Sequence, residues 1–451
     1  MAEIQQRAGD ALLTGRMNPY YQAERVMRTE INRAYGETAL QAAIQHPDVI
    51  GVKFKLSPRH PRFDICDMHA NANLHGLGPG DTLQAEVAAD GDVVATVEQP
   101  AADGMPLVLP LDRPRLWSTD DPFLYDLRLQ VRRDSHVVDR VDSYFGMRKV
   151  HLQGDRVFLN NQPLYQRLVL DQGYYKDGIW TAPADDDLKR DIQLALDAGF
   201  NGARLHQKVF EERFHYWADK LGYLTWAESA SWGLDVNSKA AARHFLAEWR
   251  EIVRRDRNHP SVVAWTPLNE TGDVRDAHEH RRLHIDCYEL THALDGTRPV
   301  NDASGYVHGR TDLWTVHDYT QDPAALKQGL TPRADGGVAV NRPEDEIDYS
   351  GQPYLVDEFG GIRWVAVDES ADSDQEAWGY GDAPENLEAF YERLEGLVDA
   401  LLALPHVRGY CYTQLTDVEQ EQNGIYNYDR STKLDMQRVA AIFARTPDHQ
   451  R

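Results

Sequence analysis

The chain is poor in cysteine and in long apolar runs, and its basic residues fall far short of its acids. Three cysteines, Cys66, Cys287 and Cys411, are scattered over 451 residues. That spacing excludes a disulfide framework and makes a reducing, cytoplasmic setting the expectation. No stretch reaches the roughly 18 consecutive apolar residues of a membrane span. The opening "MAEIQQRAGDALLTGRMNPYY" has no apolar signal-peptide core. Lys and Arg number 48 against 72 Asp and Glu, a net charge of −24. Nucleic acid and anionic membranes are therefore not expected as partners, because phosphate binding rests on clustered Lys and Arg. Metal signals are thin too: Cys66, His69 and His75 have no second ligand pair at zinc spacing, so no metal site is expected there. No glycine pattern of the Walker or dinucleotide type sits between a strand and a helix.

What is present is 42% hydrophobic residues on a chain long enough for two or three domains. Character changes near residue 80. Residues 1–80 carry nine Lys and Arg against eight Asp and Glu, which leaves −25 on the 371 residues that follow. In this leading part, residues 20–45 place Val26, Ile31, Tyr35, Leu40 and Ala43 on a helical stripe. A loop rich in His, Pro and Asn follows and ends in the breaker "GLGPG" at 76–80. Residues 81–150 predict short strands, with a hairpin at Asp90–Gly91–Asp92 and an alternating run at 124–133.

From about residue 160, short apolar strands alternate with amphipathic helices. Residues 183–200 place acids in the first turn, apolar Leu188, Ile192, Ala195 and Leu196 on one face, and a terminating Gly199. Further helices are expected near 208–220, 240–256, 275–293 and 385–403. Starting with "YQRLVLD" (165–171) and ending with "VRGYCYTQ", eight strands fall within roughly 280 residues, the size of a (β/α)8 barrel. The expected fold class is thus α/β: a (β/α)8 TIM barrel over 151–451, preceded by a truncated β-sandwich over 81–150 and a small, mostly helical segment over 1–80.

Two glutamates stand out. Glu270 closes "SVVAWTPLNE" (261–270) and Glu358 lies in "PYLVDEFGG" (353–361). Each ends an apolar run of the kind that forms a strand buried on both faces. Barrels place their chemistry just past the carboxyl ends of such strands. Two carboxylates over one barrel mouth are what glycoside hydrolysis requires: one donates a proton to the leaving oxygen and the other attacks the anomeric carbon. Asn269 offers an amide for a sugar hydroxyl.

Residues 258–270, "NHPSVVAWTPLNE", resemble the acid/base signature of glycoside hydrolase family 2, whose members include β-galactosidases, β-glucuronidases and β-mannosidases. "PYLVDEFGG" is similar to that family's nucleophile segment, "NGARLHQ" (201–207) to its second strand, and "GYCYTQLTDVEQEQNGIYNYDR" (409–430) to its eighth strand and loop. The resemblance covers about 81–445 and makes the sandwich immunoglobulin-like. It implies Glu270 as general acid/base and Glu358 as nucleophile of a retaining exo-β-glycosidase. It further implies Arg204 as a positive partner of the nucleophile and Tyr319 as its hydrogen-bond donor. His206, Glu228 and His317 stand at strand ends and are expected to line the sugar pocket with Asn269, Arg204 and Tyr319. Trp232 and Trp364 are candidate stacking platforms, Trp265 reads as core, and Gln414 and Asn423 are further candidates. The expected substrate is an oligosaccharide or glycoside with a terminal β-sugar, by family frequency a β-galactoside. β-Mannoside, β-glucuronide and arabinoside are the alternatives, and Asn237–Ser238–Lys239 reads as incidental rather than as a glucuronidase marker. No cofactor is required, although relatives use Mg²⁺ or Na⁺.

The family begins with a jelly-roll domain ahead of the sandwich, and the expectation here is that it is missing. Residues 1–80 instead resemble the end of phage Mu-type minor head (head-morphogenesis) proteins, through "AERVMRTEINRAYGETALQAA" (23–43) and "SPRHPRFDICDMHANANLHGLGPG" (57–80). A junction between unrelated pieces is the reading, with exposed apolar surface and a more open site as its consequence. The rival function is a catalytically crippled fusion acting only by binding.

Overall fold

The computed structural model describes residues 80–101, 106–365, 377–447 and 449. The expected helix over 20–45, the phage-like segment before Gly80, and the Cys66, His69 and His75 group lie outside the described residues. The chain divides into two compact units. One holds the described residues up to Arg113 together with Tyr125–Tyr144, and the other holds Pro114–Leu124 and Phe145 onward. No helix among the described residues is long and apolar enough to cross a membrane.

In the first unit, β1 (Thr82–Ala89) and β2 (Asp92–Pro100) form the expected hairpin. Asp90 and Gly91 turn it with φ of 50° and 89°, the positive pair that suits the twist of a two-residue hairpin loop. β1 also pairs antiparallel with β3 (Tyr125–Arg133), and β4 (His136–Phe145) completes the order β2-β1-β3-β4. Ala85 and Val87 on the central strand are fully buried, while Val93, Val94, Val137 and Val138 on the outer strands are exposed. This single four-stranded layer is what the truncated sandwich comprises among the described residues.

The second unit opens with a three-stranded meander of β5 (Val150–Gln153), β6 (Arg156–Leu159) and β7 (Gln162–Pro163). The barrel follows. Its strands are β8 (Gln166–Asp171), β9 (Gly202–Leu205), β10 (Leu224–Glu228), β11 (Val262–Thr266) with its extension β12 (Leu268–Asn269), β13 (Ala303–Ser304), β14 (Trp314–Asp318), β15 (Tyr354–Gly360) and β16 (Val407–Thr413). Seven pair in the order β11-β10-β9-β8-β16-β15-β14, every ladder parallel. The fifth strand closes the ring. Trp265 bridges Val300, Leu268 and Asn269 pair with Ala303 and Ser304, and Thr315 Oγ1 donates to the Ala303 carbonyl at 3.3 Å. All eight expected strands are therefore present. They read from sequence because β9, β10, β11, β15 and β16 are buried at every position, so their apolar runs are unbroken.

The helices α1 (Asp185–Asp197), α2 (Glu212–Leu221), α3 (Lys239–Asp256), α4 (Ala277–Leu294) and α6 (Leu387–Leu402) match the expected ones. Two short ones, α5 (Pro323–Leu330) and α7 (Met436–Phe443), were not anticipated. Eight residues give barely two turns, too few for a clear 3.6-residue stripe. Five of these seven helices start at a side-chain cap, for example Ser238 on α3, Asp276 on α4 and Asn386 on α6. The cap also accounts for Ser238 in the Asn237–Ser238–Lys239 triplet. Inside the barrel, Leu168, Leu170, Leu224, Trp226, Val263, Leu355 and Cys411 pack with Trp117 from below. Outside it, helix faces such as Leu188, Ile192, Phe214, Leu394 and Leu397 cover the strands. At the carboxyl ends of the strands Arg204, Glu228, Glu270, His317 and Glu358 converge on one rim.

Candidate active site

Glu358 is the buried centre of that rim, 4% exposed on β15. Arg204, fully buried at the end of β9, donates Nη2 to its Oε1. The Tyr319 hydroxyl, just past β14, donates to Oε2 at 2.5 Å and lies 3.0 Å from Thr413 Oγ1. Burial pushes the Glu358 carboxyl up, but the charges of His317, Arg204 and His206 and the tyrosine hydrogen bond outweigh it. Its pKa is held down at about 2. The carboxylate stays ionised although it has almost no contact with water.

Glu270 stands just past β12, in the left-handed region with φ 48°. Its N–H donates to the Ser304 carbonyl at 3.0 Å, and its own carbonyl accepts from Gly272 at 2.8 Å. Its side chain is 23% exposed, the more accessible of the two carboxylates. His317 Nδ1 lies 2.8 Å from Glu270 Oε1 and 3.2 Å from Glu358 Oε2. On the other side of the ring, Nε2 is 3.0 Å from Ser304 Oγ, whose hydroxyl donates to Asp357 at 2.6 Å. Ser304 thus accepts from Nε2, and Nδ1 is left to serve the glutamates. Burial opposes charge on this ring, but Glu358, Asp357 and the bond to Glu270 outweigh it and raise its pKa.

Arg204 Nη1 also donates to Glu228 at 2.8 Å and to Asn269 Oδ1 at 3.1 Å. Glu228 accepts from the Gln207 N–H with its other oxygen and is 1% exposed. Arg204 gives both Nη atoms to Glu228, Glu358 and Asn269 while its buried Nε has no protein partner, whereas both Glu228 oxygens are engaged by protein. Asn269 differs: with Oδ1 held by Arg204, its buried Nδ2 has no protein partner and remains a free donor. His206 is buried, 3.4 Å from Glu228, with the edge of its ring against the exposed Trp232 at 5.3 Å between centroids.

The other aromatic candidates separate. Trp265 is core, as read, and donates to Asp295 at 2.9 Å. Trp364 is half-buried and packs against the barrel core beside Phe390. Gln414 donates to Asn423 at 2.8 Å and accepts from Gln172 at the same distance. Gln172 and Asn423 in turn reach Glu421 at 3.0 and 3.3 Å.

Sequence reasoning missed several residues here. Tyr380 stacks on Tyr319 with centroids 3.4 Å apart and planes 4° apart. Asn341 clamps the His317 backbone, accepting from its N–H at 2.9 Å and donating to its carbonyl at 3.0 Å. Tyr306 lies over Arg342 and beside Glu270, which raises its pKa after burial does. All three come from loops, where no periodicity marks a residue. Asp357 had a signal, adjacency to Glu358.

Glu270, His317 and Glu358 present one ligand atom each within 4.8 Å of one another. As a Mg²⁺ or Na⁺ site the group does not fit. Such ions call for a shell of oxygens, whereas here an imidazole with a raised pKa lies between the carboxylates, and Glu358 already faces a guanidinium.

Comparisons with known proteins agree with this fold. Over 345 residues the chain is 25% identical to a β-galactosidase of Alteromonas mediterranea, covering 68% of this chain and 32% of that protein. Over 275 residues it is 26% identical to a β-glucuronidase of Bacteroides fragilis, covering 57% and 38%. The chain spans between 20% and 38% of the length of these and a further curated relative. The solved β-D-glucuronidase of Dictyoglomus thermophilum superposes with a TM-score of 0.67 at 20% identity, over 82% of this chain and 65% of that one. That likeness speaks to fold alone. The family models for "Glycosyl hydrolases family 2" and for the "TIM barrel domain" of the same family match residues 72–148 and 150–331, together more than half of the sequence, and the chain belongs to glycosyl hydrolases family 2.

Proposed function

We propose that the chain is a retaining exo-β-glycosidase that releases terminal β-sugars through a covalent glycosyl-enzyme, with a β-galactoside as the expected substrate. The observation that carries this reading is the carboxylate spacing. Oxygens of Glu270 and Glu358 lie within 4.8 Å of each other. Retaining enzymes hold their two carboxyl groups about 5–5.5 Å apart, whereas inverting ones leave about 6.5–9.5 Å for a water between them.

In the first step Glu358 attacks the anomeric carbon. A bond forms to its carboxylate as the bond to the leaving oxygen breaks, and the Glu270 proton passes to that oxygen. In the second step Glu270 takes a proton from water, which attacks the same carbon and frees Glu358. Arg204 and Tyr319 aim the nucleophile and keep it ionised. His317 touches both carboxylates and offers a donor that follows charge as it moves between them. Asn269 Nδ2 supplies a hydrogen bond for the sugar.

The test is intact mass after incubation with 2-fluoro galactosyl and glucosyl inactivators, followed by peptide mapping. One adduct on the peptide carrying Glu358, absent in Glu358→Gln, is the expected result. Labelling that persists in that variant places the nucleophile elsewhere. No adduct and no turnover of nitrophenyl glycosides by a folded sample favours a protein that binds without catalysis.

A further inference from the structure

If two glutamates carry the chemistry, a third carboxylate at the same barrel mouth calls for its own account. Glu421 follows β16, and two amides hold it: Gln172 Nε2 at 3.0 Å from Oε2 and Asn423 Nδ2 at 3.3 Å from Oε1. Gln172 follows β8, so the pair spans the first and eighth strands. In an eight-stranded ring these stand opposite the fourth and fifth, where Glu270 sits. The leaving group departs past Glu270, so the wall opposite faces the non-reducing part of the sugar. Tyr380 stacks on the nucleophile's own tyrosine and packs edge-to-face with Trp378, whose backbone bridges that of Glu421, so Glu421 is tied to the nucleophile's surroundings.

Among the described residues, the amides and cations around that wall are largely committed to carboxylates already. Both amides are already turned to Glu421, and Gln414 is tied to Asn423. Arg204 is bonded to Glu228, Glu358 and Asn269, and His317 lies between Glu270 and Glu358. Arg342 lies over Tyr306, on the Glu270 side where the leaving group would sit. A neutral sugar hydroxyl donates readily to a carboxylate. A uronate would bring a second negative charge against Glu421, where the cation acting on it, His206, is already shared with Glu228 and Glu358.

We propose that Glu421, held by Gln172 and Asn423 across the barrel mouth from Glu270, restricts the glycone subsite to neutral sugars and excludes uronates. This rests on the glycosidase reading above and adds the substrate class that the names of the relatives leave divided.

The test compares kcat/KM on matched pairs: 4-nitrophenyl β-D-galactopyranoside with its galacturonide, and the glucopyranoside with its glucuronide. Two unit charges about 5 Å apart at the effective dielectric of a partly buried site correspond to a factor on the order of 100. The unaltered protein should therefore favour the neutral member of a pair by roughly that factor. Glu421→Gln, which keeps an acceptor oxygen and the side-chain length, should narrow the ratio about tenfold or more by raising the uronide rate. Preference for a uronide by the unaltered protein, or a ratio that Glu421→Gln leaves unchanged, overturns the proposal. If none of the four substrates is cleaved, the glycosidase reading falls by itself. The inference is then decided by saturation-transfer NMR with D-galactose and D-galacturonate. Binding of galactose alone, with galacturonate gained in Glu421→Gln, supports it. Equal binding of both sugars to the unaltered protein, or binding of neither, overturns it.

Discussion

Nδ1 of His317 lies 2.8 Å from Oε1 of Glu270, and the same nitrogen is 3.2 Å from Glu358. A single ring therefore touches both carboxylates, and Ser304 with Asp357 fixes which nitrogen does so. His317→Gln keeps a donor but not the charge or the reach. It should lower kcat/KM by about 10²- to 10⁴-fold, the range of a positioned proton-transfer group. Stability should change with pH in a set direction. The folded pKa of His317 is raised above 6.5, so its stabilisation is complete below that value and fades as pH rises through the raised one. The gap in melting temperature between the unaltered protein and His317→Gln should thus be widest near pH 6 and close on the alkaline side. A gap that widens with pH would mean the ring is neutral in the folded protein.

The depressed pKa of Glu358 gives a second pH signature. A 2-fluoro glycoside with a dinitrophenyl leaving group needs the nucleophile but no protonation. With Glu358 ionised down to about pH 2, the inactivation rate should stay flat from neutrality to the acid limit of folding. Tyr319→Phe removes the 2.5 Å donor and should bring a fall in rate to higher pH. A midpoint between pH 4 and 5 in the unaltered protein would show that Arg204 and His317 do not hold the carboxylate as described.

Glu270→Ala separates the two carboxylates by leaving-group chemistry. Substrates with poor leaving groups need the proton that Glu270 supplies, and activated aryl glycosides do not. Loss should be about 10³-fold or more on an alkyl glycoside and under about tenfold for glycosylation from a dinitrophenyl glycoside. Equal loss on both would remove the acid/base role from this residue.

The legible part of the molecule was what burial imprints on sequence. Parallel strands covered on both faces become unbroken apolar runs, so the strands that end at Arg204, Glu228, Glu270, His317 and Glu358 could be read with their terminal residues. The illegible part was set by loops and by counting partners. Nothing in the sequence separates Glu228, with both oxygens engaged, from Asn269, with its amide nitrogen free. Tyr380 reaches Tyr319 from 61 positions away in the chain, and Glu421 meets Gln172 across 249. Such pairings are created by ring closure and leave no local pattern.

Ring closure also predicts a glycine whose replacement should damage catalysis at a distance. Gly305 follows the fifth strand with φ 59°, and a methyl group there would come within 2.5 Å of the His317 ring. Its N–H donates to Thr315 Oγ1 at 3.1 Å, so the backbone has little room to retreat. Gly305→Ala therefore meets two obstacles, an unfavourable backbone conformation and a displaced imidazole. Strain of the first kind costs about 1–3 kcal/mol. Gly91→Ala is the matched control. It also has positive φ, at 89°, but a methyl group there meets nothing within 4 Å. Both variants should be less stable in denaturant titrations, while only Gly305→Ala should also lose activity, tenfold or more in kcat/KM. The loss should follow His317, so adding Gly305→Ala to His317→Gln should cost little further activity, as neighbours acting through one group are not additive. Full additivity of the two losses would show that Gly305 acts on the site by another route.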